Sequence, residues 1–115
     1  MYKALVNKII EREKAEGKID ISLVDDRTIR RLNREFRKKD KATDVLAFPY
    51  GRSVDPEGII GDVIIARDTT RKNAKRYGTS LKNEMKRLVI HGVLHVLGYD
   101  HGRRMSRAEK IYSQF

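Results

Sequence analysis

Apolar residues recur along this chain with two different periods, and the switches between them mark out its elements. In the stretch 3–16, Leu5, Val6, Ile9 and Ile10 form one stripe among Lys and Glu. That spacing predicts an amphipathic helix, which Gly17 ends. Residues 18–24 (KIDISLV) alternate instead, with Ile19, Ile21 and Leu23 on every second position, as in a half-buried strand. Asp25 or Asp26 is placed to cap a second helix reaching about Phe36, with Ile29, Leu32 and Phe36 at helical spacing. Residues 45–48 predict a short strand stopped by Pro49. Residues 50–58 (YGRSVDPEG) are turn-rich, and 59–66 (IIGDVIIA) read as a buried strand interrupted by Gly61 and Asp62.

Three helices complete the pattern. Asp68 or Thr69 opens one to about Tyr77, closed by Gly78. Thr79 or Ser80 caps a long one to Leu97, where Gly98 ends it. Residues 105–113 predict a short terminal helix after a turn over 98–104. The order is α, β, α, β, β, α, α, α. This is an α+β chain whose helices pack on a small mixed sheet of about three or four strands. With 115 residues, no repeat and no linker, one domain over 1–115 is expected.

Composition narrows the setting. There is no cysteine, so disulfides and thiolate metal sites are excluded and a reducing cytoplasm is permitted. No run approaches the length of a membrane span, and the N-terminal MYKALVNKIIEREK does not read as a secretory signal. Lys and Arg outnumber Asp and Glu by 26 to 16, a formal charge of +10. A thermophile-like ionic surface explains many charges but not that imbalance, which favours a polyanionic partner, nucleic acid first.

All three histidines lie within eleven residues, HGVLHVLGYDH, at His91, His95 and His101. On a helix, His91 and His95 share one face a single turn apart. Gly98 allows a sharp turn that can return His101 as a third ligand. Leu88, Val89, Ile90, Val93, Leu94, Val96 and Leu97 surround the first two, and burying imidazoles among them is costly without partners. A metal ion supplies those partners at once. Three imidazoles with one open position is the usual form of a catalytic zinc site, and zinc is the expected ion. Asp100 either orients one imidazole or caps the turn.

The spacing H-x3-H-x2-G-x2-H is shared with metzincin peptidases, whose motif carries a Glu base directly after the first histidine. Gly92 stands there and cannot accept a proton, which leaves a peptidase as the remote alternative. Phosphodiester chemistry asks instead for cations beside the metal. Arg30, Arg31, Arg34, Arg37, Lys38, Lys39 and Lys41 crowd one segment. Arg67, Arg71, Lys72, Lys75, Arg76, Lys82, Lys86 and Arg87 form another.

The segment His91–His101 resembles the H-G-x-L-H-x-x-G-Y-D-H signature of the YbeY family of single-strand-specific metallo-endoribonucleases. Residues 33–49, NREFRKKDKATDVLAFP, and Gly61-Asp62 are similar to two further segments of that family, in the same order. The resemblance implies a small mixed sheet with a metzincin-like metal-bearing helix. It also implies zinc on His91, His95 and His101, and a functional arginine at Arg37 that contacts a phosphate. It implies a cytoplasmic enzyme acting on single-stranded RNA in maturation of the small-subunit rRNA 3′ end and in ribosome quality control, with ribosomal subunits or assembly factors as partners. The rival reading is a zinc-stabilised ribosome-assembly or RNA-binding factor with little catalysis. The chain departs from the family in starting almost at its first helix, in Ala47 where serine is usual, and in a brief C-terminal helix with Arg103 and Arg104 where acidic residues are common. Asp44 and Asp62, at or inside apolar strands, are read as hydrogen-bonded anchors of loops. The alternative is a carboxylate near the metal.

Overall fold

The computed structural model describes residues 2–51 and 58–115. Eight elements follow one another: α1 (Lys3–Arg12), β1 (Lys18–Val24), α2 (Asp26–Arg37), β2 (Val45–Pro49), β3 (Ile59–Ala66), α3 (Arg67–Arg76), α4 (Leu81–Val96) and α5 (Arg103–Tyr112). Most of the turn-rich connection over 50–58 lies outside the described residues. The strands form a sheet in the order β1-β3-β2, with β1 parallel and β2 antiparallel to the central β3.

A strand covered on both faces reads as a continuous apolar run, and β3 has one. Val63 and Ile65 point into the main core, built with α1, α4 and α5 around Leu88, Val89, Val93 and Leu94. Ile64 and Ala66 point the other way, into a smaller cluster with Ile29 of α2 and Leu46 of β2. Two glycines bring α4 close to the sheet. A Cβ on Gly92 would lie 2.5 Å from Val63 Cγ1, and one on Gly61 would lie 2.4 Å from Val96 Cγ1. The glycine that denies a peptidase its base therefore has a packing reason.

Helix ends differ from expectation where a distant or unexpected residue caps them. α1 stops at Arg12, short of 16, because Lys14 adopts left-handed φ 56° and Ala15 N–H donates to Ile10 C=O. Gly17 instead leads into β1, where a Cβ would lie 2.5 Å from an Ile60 methyl. α3 starts at Arg67, before the predicted Asp68 or Thr69, with no local side-chain cap. The carboxylate of Asp26 on α2 accepts from Thr69 N–H at 3.2 Å and from its hydroxyl at 2.8 Å. Asp25 caps α2 itself, accepting from Thr28 N–H at 2.8 Å. Ser80 caps α4 through Asn83 N–H at 3.0 Å.

Candidate metal centre and its cleft

α4 is the most buried helix of the fold. Its packing on β3 fixes the helix that carries His91 and His95. The chain then reverses through a Schellman turn. Gly98, at φ 102°, donates its N–H to His95 C=O, and Tyr99 N–H donates to Leu94 C=O, each at 3.0 Å. This turn returns His101 to the other two histidines. The ligand atoms of His91, His95 and His101 all lie within 4.8 Å of one another. Ring centroids are 4.6, 5.6 and 4.8 Å apart. His91 and His95 are half-buried and His101 is exposed, so the cluster opens on one side.

The donor chemistry fits a metal ion. Metal ligation requires neutral imidazole. Burial, and next the neighbouring His91 and His101, push the His95 pKa below its ordinary value, which favours that form. Glu109 on α5 lies 3.1 Å from His91 Nδ1. A proton held on Nδ1 by this carboxylate leaves the ring's lone pair on Nε2, the arrangement that orients metal-binding histidines. Asp100 lines the cleft near His101, whereas the carboxylate bonded to an imidazole is Glu109. Glu109 lies eighteen residues from His91, outside the signature, and only its one-turn spacing after the buried Met105 hinted that it faces inward.

The histidines line a cleft of about 830 Å³ between the C-terminal half of α4 and the free edge of β2. Arg37 lines the same cleft, with Lys39 and Lys41. Its guanidinium donates to Ala47 C=O and lies 5.5 Å from the Phe48 ring centroid. Asn33 holds the basic loop beneath. Its side chain donates to Lys41 C=O at 2.9 Å, its carbonyl accepts from Lys39 N–H at 3.2 Å, and it is buried. Other predicted cations are engaged elsewhere. Arg30 and Arg34 pair with Asp40. Arg71 pairs with Asp68, and Arg87 with the buried Glu84.

The two strand carboxylates are anchors. Asp44 accepts from Asn73 of α3 at 3.1 Å, its carbonyl accepts from Ala66 N–H at 2.8 Å, and it borders the cleft. Asp62 accepts from the Tyr50 hydroxyl and, among the described residues, is not part of the cleft lining. No helix among the described residues is long and apolar enough to cross a membrane.

Fold and site together define a small α+β protein whose three-histidine cluster can hold a metal ion beside a cationic wall. The sequence profile of the family described as Endoribonuclease YbeY matches residues 1–114, and the chain belongs to that family. Proteins named Endoribonuclease YbeY from Myxococcus xanthus and Aquifex aeolicus are 51% and 49% identical to it over 100 and 93 residues, covering 83% and 81% of this chain. The chain spans only 33% and 62% of those two proteins. One from Persephonella marina is 42% identical over 114 residues, covering 96% of this chain and 74% of its own length. The solution structure of TM1509 from Thermotoga maritima superposes with a TM-score of 0.71 at 29% identity, covering 97% of this chain and 76% of that one.

Proposed function

We propose that residues 1–115 are one zinc-dependent endoribonuclease domain that cuts single-stranded RNA in the cytoplasm. Its work is maturation of the small-subunit rRNA 3′ end and ribosome quality control, on ribosomal particles or with their assembly factors. The observation that carries this reading is the single cleft shared by three clustered imidazoles and Arg37. His91, His95 and His101 would hold the ion. When bound, it supplies Lewis acidity toward oxygen and a nucleophile at neutral pH. Arg37 offers a planar, permanently charged fork for phosphate oxygens. One of its five N–H groups goes to Ala47 C=O, which tethers the guanidinium to β2 at the cleft that Arg37 lines. Lys39 and Lys41 add charge on the same wall, so negative charge growing on a phosphate is met by fixed cations.

The test uses the purified chain and a defined single-stranded RNA, with metal analysis and single-turnover cleavage measured together. His95→Ala should lose bound metal and lose cleavage, while chelator treatment of the wild type should do the same and zinc should restore it. A His95→Ala protein that cuts at the wild-type rate sinks the proposal. Metal binding without cleavage would favour the assembly-factor reading, in which the ion only braces the 91–101 turn.

A further inference from the structure

An exposed phenylalanine sits beside the cleft, outside the catalytic proposal. Phe36, the last residue of α2 but one, is 60% exposed. Burial therefore does not account for a large apolar ring at this position. Its ring makes a T-shaped contact with Phe48 of β2, with centroids 5.6 Å apart and planes at 70°. The Arg37 guanidinium lies over that same Phe48 ring. Phe48 belongs to the α2 side of the sheet, while Arg37 also lines the histidine cleft, so the Phe36–Phe48–Arg37 unit wraps the free edge of β2. The T-shaped contact engages one side of the Phe36 ring and leaves much of the ring in solvent.

The chemistry around it selects an occupant. Arg37, Lys38 and Lys39 follow Phe36 directly in the chain and are exposed, in a protein of net charge +10. Arg37 ends α2, Lys38 is held at φ 58° and Asn33 anchors the loop that follows, so Lys38 and Lys39 are presented on a fixed turn. An aromatic face beside a phosphate-binding cation is how single strands are gripped without base-pair readout, because every base has a π face. Glu35 and Asp40 are exposed in the same segment, but Asp40 is taken up by Arg30 and Arg34, so the local balance stays cationic and favours a polyanion over a protein partner.

We infer that Phe36 is a stacking platform for one base of a single-stranded nucleic acid whose adjacent phosphate lies against Arg37. This rests on the nuclease reading for the direction of the strand, and it supplies what that reading lacks, a reason to prefer single strands. Bases inside a duplex are stacked on one another and cannot lie on the ring.

The experiment is fluorescence anisotropy with a labelled single-stranded oligoribonucleotide, and with the same strand annealed to its complement, the probe being checked intact on a gel. Phe36→Ala should weaken single-strand binding about tenfold or more and leave the weaker duplex binding unchanged. Phe36→Leu, which keeps the apolar contact with Phe48, should show the same loss, and Phe36→Trp should retain or tighten binding. Single-strand binding by Phe36→Leu equal to wild type, or equal losses on both probes, overturns the platform and leaves the ring to protein contact or packing. Wild-type chain that binds single strands through Phe36 yet cuts none keeps the platform and removes the nuclease. Wild-type chain that cuts while Phe36→Ala binds as tightly does the reverse.

Discussion

Helices α4 and α2 flank the same strand edge and deliver opposite kinds of group to one cleft. α4 buries nine of its sixteen residues, and its histidines are held from behind by Val63, Val89, Val93 and Leu94. α2 buries only Ile29 and Asn33 among its twelve residues and carries five arginines. The imidazoles are thus fixed by the main core, which resists displacement. Arg37 is fixed by one carbonyl, one ring and a helix end. A metal site needs the first kind of support, since its ligands must converge on one point. A phosphate grip tolerates the second, since substrate binding completes it. Changes on α2 should therefore alter chemistry without touching metal, whereas changes behind α4 should alter metal binding first and cleavage only through it.

Arg37→Ala breaks the comparison hardest if it is wrong. Cleavage under single-turnover conditions should fall about a hundredfold, the scale for removing one preorganised charge-stabilising donor. Metal content should stay at the wild-type level. Arg37→Lys should recover only part of the rate, because a point charge lacks the planar fork. Loss of metal in Arg37→Ala would show that the two walls are not separate.

Glu109→Ala tests the other wall. Removing the carboxylate 3.1 Å from His91 Nδ1 frees the ring to rotate and change tautomer. Metal affinity, read by competition with a chromogenic chelator, should drop about 10- to 100-fold. Single-strand binding by the metal-free protein should not change. An unaltered metal affinity would mean that packing alone orients His91.

How much of this was written in the chain divides along the same line. The three histidines were legible because spacing alone puts His91 and His95 on one helix face, and a glycine follows where the helix must reverse. The element order was legible because the apolar period switches cleanly between helix and strand. What escaped depends on contacts between distant segments. Glu109 and His91 meet only because α5 packs on α4. The start of α3 is set by Asp26, forty-three residues upstream of Thr69, so no local cap signal exists. Asn33 was visible in a motif, but its work, bracing the loop through Lys41, shows only in three dimensions. The basic segments were legible only as a collective charge, since a count cannot tell Arg37 at the cleft from Arg30 and Arg34, which face Asp40.

Gly92→Ala sharpens the idea that the core holds the metal site. The added methyl meets Val63 at 2.5 Å, in a helix against a sheet, where neither backbone yields easily. Overpacking of this kind costs about 1–3 kcal/mol, which denaturant melts of the metal-free protein would register. Metal affinity should weaken in parallel, because α4 must lift from β3. The double variant with Val63→Ala should recover stability beyond the sum of the single changes. A Gly92→Ala protein as stable as wild type, with unchanged metal affinity, would mean the close approach is not tight in solution.

The smallest effect concerns the far end of the α4 turn, for which the α2 side has no equivalent. Glu13 of the α1 cap accepts from the Tyr99 hydroxyl at 2.8 Å and also from the Tyr112 hydroxyl. It ties the turn between His95 and His101 to α1 and α5. Burial, then the bond to Glu13, pushes the Tyr112 phenol up to about 12. The bond to Glu13, then burial, raises Tyr99. Both phenols ionise in the unfolded chain near 10, before they do in the fold. Across that interval the unfolded chain holds fewer protons, so stability falls as pH rises. Their contribution is complete below pH 10 and, for Tyr112, is gone once pH passes about 12. Glu13→Gln removes the carboxylate's repulsion of phenolate but leaves burial. It should shift Tyr99 down more than Tyr112 and make the alkaline loss of stability shallower. Phenolate absorbance and urea melts across this range, compared between wild type and variant, read both effects while lysine titration cancels. Identical alkaline limbs in the two proteins would show that Glu13 does not grip the turn, leaving the Schellman geometry at Gly98 to place His101 alone.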